Sequence, residues 1–187
     1  MTTQRPVLAG RRMTLRLLER SHLPQRVAYI NDPEVQRTLN FDYPTSMART
    51  EAWYSKIVLS NDRVDFAFEV PDRGHPIGFG GLISIDRRVR KAELYIMIGD
   101  KDFWGHGFGR DGYKLLTNYA FTELGLERLY AYHLEHNQRA ANAVTKLGWR
   151  IEGLLRKDVW SHGAPKSRFV AAILRGEWLS NEAYDDV

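Results

Sequence analysis

Residues 92–122, AELYIMIGDKDFWGHGFGRDGYKLLTNYAFT, constrain this chain more than any other stretch, because they read as a buried strand, a glycine-rich turn and a helix in immediate succession. In Glu93-Leu94-Tyr95-Ile96-Met97-Ile98 the residues at 94, 96 and 98 share one face and Glu93, Tyr95 and Met97 the other, as in a strand covered on both sides. The turn Trp104-Gly105-His106-Gly107-Phe108-Gly109-Arg110 then sets glycines at alternate positions just ahead of the helix. Backbone without Cβ atoms can curl its N–H groups around an anion, and a helix N-terminus adds roughly half an elementary positive charge. A phosphate or pyrophosphate is the simplest ligand for such a turn; a plain tight turn is the other reading.

The turn matches neither of the two best-known phosphate loops. A Walker loop ends in Gly-Lys-Ser/Thr, whereas this one ends Gly109-Arg110-Asp111, and a dinucleotide fingerprint needs a glycine where Arg110 stands. Its partner must therefore come from elsewhere in the chain.

At 187 residues the chain fits one domain, 1–187, long enough to bury a continuous core around a central sheet. No apolar run approaches a membrane span, and the N-terminal MTTQRPVLAGRR has no apolar core of a secretory leader. The absence of cysteine excludes disulfides, thiolate metal sites and a thiol nucleophile, and with the missing leader makes a cytoplasmic protein the default expectation. No metal site is indicated. The net charge of +4 is spread among interspersed signs. The longest basic cluster, Arg87-Arg88-Val89-Arg90-Lys91, reads first as a solvated hairpin tip. A nucleic-acid patch is the weaker reading, since no aromatic platform accompanies it, and a basic rim attracting an anionic cofactor is a third.

In chain order, residues 13–18 alternate as a first strand. Ser21 offers an N-cap for a helix over 21–31 with Pro24 in its first turn, and Asp32-Pro33 starts a second short helix carrying Val35 and Leu39. A third begins at Thr45 or Ser46, with Trp53, Ile57 and Val58 on its apolar face. Strands follow over 64–70 and 77–85 across the turn Pro71-Asp72-Arg73-Gly74; Gly78, Gly80 and Gly81 mark a bulge or a close backbone approach. After the fourth strand and the glycine turn, the helix directs Tyr113, Leu116, Tyr119 and Ala120 inward and ends near Gly125. A fifth strand (128–134), a helix (137–147) stopped by Gly148 and a final hairpin (149–160 and 167–174) complete the chain. The expected architecture is α/β around a mixed, mostly antiparallel seven-stranded sheet, with strands four and five parallel across their helix.

Two separated segments resemble the GNAT acyltransferase superfamily, and in particular its branch of ribosomal-protein N-terminal acetyltransferases and related small-amine acetyltransferases. One is Ala92-Glu93-Leu94 with the turn from Trp104 to Asp111; the other is Asn137-Gln138-Arg139-Ala140, Lys146-Leu147-Gly148-Trp149 and Glu152-Gly153, similar to the family's Asn-x-x-Ala/Ser helix with its following Lys-x-Gly-aromatic and Glu-Gly. The resemblance implies acetyl-CoA bound where strands four and five splay apart at a bulge. Its pyrophosphate would lie on the amides of Gly105, His106, Gly107, Phe108, Gly109 and Arg110, beside Trp104, and its pantetheine would pair with backbone groups of Met97 and Ile98 and bond to Asn137. For Asn137 an ordinary N-cap is the competing role.

The resemblance further implies direct attack of a neutral amine on the thioester, with Glu93 as the base, its pKa raised by burial; a salt-bridged or substrate-orienting glutamate is the alternative. The amine acceptor remains open among a protein N-terminus, a polyamine, an amino sugar and an antibiotic, and a homodimer is a family expectation. Tyr29, Phe41, Tyr43, Trp53, Trp160 and His162 are candidate acceptor contacts. Neither familiar acid for the departing thiolate is present, since Val144 and Ala140 stand where a tyrosine or a serine would. Water, Tyr130, Tyr132 or His133 are the substitutes, and a non-catalytic acyl-CoA-binding regulatory module is the rival reading.

Overall fold

The computed structural model describes residues 8–39 and 44–180. In chain order the elements are β1 (Leu8–Ala9), β2 (Thr14–Leu17), α1 (Leu23–Asn31), α2 (Pro33–Gln36), α3 (Met47–Ile57), β3 (Val64–Glu69), β4 (Gly78–Asp86), β5 (Lys91–Ile98), α4 (Phe108–Thr122), β6 (Arg128–Leu134), α5 (Gln138–Thr145), β7 (Arg150–Ser161), β8 (Ala164–Leu174) and α6 (Arg175–Leu179). The strands form one eight-stranded sheet in the order β1-β2-β3-β4-β5-β6-β8-β7. Seven strands were expected. The eighth is β1, too short to show an alternation, which sets Leu8 opposite Leu15 and Ala9 opposite Thr14 at the sheet edge. Every neighbouring pair is antiparallel except β5 and β6, which α4 connects as a crossover.

Helix starts follow side-chain chemistry. Asp32 accepts from the N–H groups of Glu34 (2.8 Å) and Val35 (3.2 Å) to cap α2, and Ser46 accepts from Arg49 (3.1 Å) to cap α3. Helix α1 departs from expectation: Ser21 lies inside a 3-10 turn, Arg20–His22, in which the Glu19 N–H donates to His22 Nδ1 at 3.0 Å, and the helix begins at Leu23. On α3 the buried positions are Thr50 and Tyr54, while Val58, past the last turn, is exposed. The final hairpin turns on His162 and Gly163 alone, both with positive φ (52° and 71°), so its strands run closer to the turn than composition implied. Helix α6, absent from the sequence reading, buries Trp178 completely.

The alternation on β3 and β5 feeds two cores. Phe66, Phe68, Leu94, Leu116, Phe121 and Leu129 pack together on the α4 side, and Leu23, Ile30, Val35, Ala67, Phe79 and Met97 on the side of α1, α2 and α3. The glycines of β4 mark a close approach: a Cβ on Gly80 would come within 2.5 Å of the Phe68 ring, and one on Gly81 within 2.2 Å of the Val64 carbonyl. The basic cluster 87–91 is an ordered hairpin tip, with Asp86 accepting from the N–H groups of Arg88 and Val89 and the Arg90 guanidinium donating to the Gly125 carbonyl. It stands at the opposite end of β5 from the glycine turn. Among the described residues no helix is long and apolar enough to cross a membrane.

Candidate active site

The parallel ladder between β5 and β6 has three rungs, Lys91 with Arg128, Ala92 with Leu129 and Glu93 with Tyr130, and stops there. Both strands continue, β5 paired with β4 as far as Ile98 and β6 paired with β8 as far as Leu134. The sheet is therefore open in its middle while each half stays intact. The bulge associated with the splay is not at the opening: it lies on β4, between Ile83 and Asp86, where Ser84 has φ 51°, and the register from Glu93 to Ile98 is continuous. A groove of about 1130 Å³ fills the gap and extends from the glycine turn to α3.

The edge that β5 offers to this groove follows from antiparallel alternation. The carbonyls of Tyr95 and Met97 point at β4, where Cβ atoms on Gly80 and Gly78 would come within 2.8 and 2.3 Å of them. The backbone groups of Leu94, Ile96 and Ile98 then face the opening. Of the two residues expected to offer backbone, Ile98 turns its backbone groups to the opening, as does Ile96, whereas those of Met97 face β4; all three residues line the groove. The Ile98 carbonyl is already engaged, accepting from Trp104 Nε1 at 2.7 Å.

Residues 105–110 line the groove. Gly105 (φ 86°) and Gly107 (φ 87°) are left-handed, Gly107 is the N-cap of α4, and the first helical N–H to find an acceptor is that of Asp111, on the Gly107 carbonyl at 3.0 Å. The amides of Phe108, Gly109 and Arg110 have no intrahelical acceptor, so they and the dipole of a 15-residue helix are directed at the cavity. Arg12 braces the loop from behind: it donates to the His106 carbonyl at 2.9 Å, pairs with Asp111 at 2.6 Å and stacks 4.5 Å from the Phe108 ring. No local pattern marks Arg12 in the sequence, because it lies 94 residues from the carbonyl it holds. Basic groups on this side of the groove, Arg110, Arg139 and Lys146, supply the rim that the cluster 87–91 does not.

Glu93 is half-buried at the apex, on the face shared with Tyr95 and Tyr130. Burial pushes its carboxyl up from the usual range, partly opposed by the Arg168 guanidinium. The hydroxyls of Tyr130 and Tyr113 are also pushed up, by burial first and then by the charge of Glu93. Tyr132 and His133 line the groove, with Arg168 stacked 4.2 Å from the Tyr132 ring. Burial lowers the His133 pKa to about 4, so its imidazole is neutral at pH 7, and its Nε2 has no hydrogen-bond partner among the described residues.

Asn137 caps α5, its Oδ1 accepting from the Ala140 N–H at 3.2 Å, and it also lines the groove, so both expected roles fit its place. Ala140 faces the groove as well, whereas Val144 is completely buried in the α4-side core. Of the expected acceptor contacts, Trp53 lines the groove. Tyr29 is core, its hydroxyl donating to the Pro76 carbonyl at 2.9 Å; Trp160 is exposed; and His162 braces the Gln36 carbonyl at 3.2 Å. Phe41 and Tyr43 lie outside the described residues.

The family model described as the acetyltransferase (GNAT) domain matches residues 12–150. An uncharacterized N-acetyltransferase of Bacillus licheniformis is 27% identical over 170 residues, 89% of this chain and 95% of that protein. Spermidine N(1)-acetyltransferase of Escherichia coli is 27% identical over 166 residues, 89% of this chain and 88% of the enzyme. The crystal structure of the Vibrio cholerae spermidine N-acetyltransferase, in complex with CoA and spermine, superposes with a TM-score of 0.84 at 27% identity, covering 90% of this chain and 99% of that one.

Proposed function

The chain belongs to the GNAT acetyltransferase family, transferring the acetyl group of acetyl-CoA to an amine, and we propose that Glu93 is the base in that transfer. One observation carries this reading: Glu93 is the last paired residue of β5 before the sheet opens, so its carboxyl stands at the apex of the groove. In the reaction the amine nitrogen bonds to the thioester carbonyl carbon, its proton passes to Glu93 directly or through water, and the C–S bond breaks as the amide forms. The CoA sulfur leaves as a thiolate whose conjugate acid has a pKa of about 8.5, a fair leaving group that solvent can protonate. Val144 then needs no replacement as an acid.

In the same reading the amides of Gly105, His106, Gly107, Phe108, Gly109 and Arg110 receive the pyrophosphate. The pantetheine arm pairs with the open edge of β5 at Ile96 and Ile98, beside Met97, with Trp104 fixing the strand end and Asn137 also lining the groove. Residues 1–187 act as one domain, working in the cytoplasm. The spermidine acetyltransferases among the relatives make a polyamine one acceptor class to test, and the resemblance of Trp104 and its turn to the ribosomal-protein branch makes a protein N-terminus another. The test is Glu93→Gln at saturating acetyl-CoA: turnover should fall about a hundredfold with acetyl-CoA binding retained. Unchanged turnover with an unaltered pH profile removes Glu93 from the role.

A further inference from the structure

We propose that Tyr130 and Ser84 form the exit for the proton that Glu93 takes from the amine, carrying it across two hydroxyls from the apex of the groove to solvent. This rests on the acetyl-transfer reading of the groove and deepens it, since a base can act again only once its proton has left. The β4 bulge makes the placement. Leu82 and Ile85 are both buried in the α4-side core, although strict alternation would put them on opposite faces. Ile83 and Ser84 between them therefore both fall on the other face, that of Glu93, which pairs with Ile83. Ser84 absorbs the extra residue with φ 51°. Of the described non-glycine residues with positive φ, Asp72, Arg90 and His162 lie in turns, and Ser84 and Lys157 lie inside strands. A bulge re-aims a side chain, and backbone strain held beside a reacting group points to a task there.

Across the sheet, Ile83, Glu93 and Tyr130 stand in one row. Leu129 and Ala131 are buried in the α4-side core, so Tyr130 between them shares the face of Glu93. Ile83 and Glu93 line the groove, whereas Tyr130 and Ser84 do not, and Ser84 is exposed. The carboxyl therefore has the groove on one side and two hydroxyls leading outward on the other. Burial pushes the Tyr130 hydroxyl up, the charge of Glu93 adds to the rise, and the Ser84 side chain, within hydrogen-bonding reach, opposes it. The phenol stays protonated at neutral pH, so it can accept and donate at once, as the serine hydroxyl can. With cofactor and amine filling the groove, the protonated carboxyl gives its proton to the Tyr130 oxygen as the phenol proton passes to Ser84 and the serine proton to water. Only O–H bonds form and break. Both hydroxyls are restored, and Glu93 is again the carboxylate that the next amine needs.

The experiment measures thiol release from saturating acetyl-CoA by the full chain, in water and in D2O, with spermidine, glucosamine and a peptide bearing a free N-terminal alanine as the amines. Tyr130→Phe removes the first hydroxyl, and Ser84→Gly removes the second while glycine takes the φ of 51° without strain, so that the bulge is kept. Each variant should lower kcat by about tenfold with KM for acetyl-CoA unchanged, and each should raise the solvent isotope effect on kcat, because proton exit then limits turnover. The double variant should be no slower than the slower single one, as expected for two groups in series. Unchanged kcat in both single variants, or a fall in kcat without a larger isotope effect, overturns the exit and leaves acetyl transfer standing. Acetyl-CoA binding by calorimetry with no thiol released by the wild type with any amine overturns both.

Discussion

The indole N–H of Trp104 donates to the carbonyl of Ile98 at 2.7 Å, closing the end of β5 onto the loop that precedes α4. The bond joins two groups with separate tasks, a strand edge that faces the groove and a turn whose amides converge on it. Replacing Trp104 by Phe keeps most of the apolar contact and removes the donor. A neutral hydrogen bond contributes about 1 kcal/mol, so KM for acetyl-CoA should rise about fivefold with kcat little changed. An unchanged KM would mean that the strand end holds its place without the indole.

Gly107 and Gly105 have nearly the same φ, 87° and 86°, but different surroundings: a Cβ on Gly107 would meet the Arg12 guanidinium at 3.1 Å, one on Gly105 only Arg139 at 3.6 Å. Alanine at either position adds about 1–2 kcal/mol of backbone strain. At Gly107 it also displaces the side chain that braces the His106 carbonyl. Gly107→Ala should therefore weaken acetyl-CoA binding by about tenfold or more by calorimetry, with Gly105→Ala milder. The reverse order would show that Arg12 is not what holds the loop.

The acidic limb of kcat should report Glu93. Burial raises its pKa, so the deprotonated base is lost at a higher pH than an exposed glutamate would require. Arg168 opposes that rise, and its removal lets the pKa climb further. Arg168→Met should move the acidic limb of kcat to higher pH, and a limb that moves down or stays would break the link between these two groups.

His133 gives a pH signature in stability rather than in rate. Its folded pKa is about 4 against 6.5 in the unfolded chain, so below pH 6.5 the unfolded state binds the extra proton. Stability is lost as pH falls from about 6.5 to about 4 and is level below that, by at most about 3 kcal/mol from this group. His22, lowered mainly by burial, works in the same direction, and Glu93, whose pKa is raised, opposes it. Denaturant midpoints for the wild type and His133→Asn should converge or cross as pH falls from 7.5 to 4.5. A constant gap would mean that the imidazole is protonated within the fold.

Fold class and the glycine turn ahead of α4 were legible in the residues because they depend on local signals. Alternation along 93–98, glycines at 105, 107 and 109, and the capping Asp32, Ser46 and Asn137 act within a few residues of themselves. Elements without such a signal were missed. Strand β1 has two residues, α6 is a single turn defined by the burial of Trp178, and α1 starts at Leu23 because His22, not Ser21, meets the Glu19 N–H.

Alternation fixed which side chains of β5 share a face, yet which backbone groups face the gap depends on which neighbour the strand pairs with, and that neighbour is β4, through Gly78 and Gly80. The end of the groove at α3 belongs wholly to the tertiary structure. Arg26 of α1, Arg49 and Trp53 of α3, and Arg63 just ahead of β3 line one end of the groove together only once α1 and α3 pack beside β3. Local chemistry is written along the chain, whereas the wall of a groove arises from residues that packing brings together.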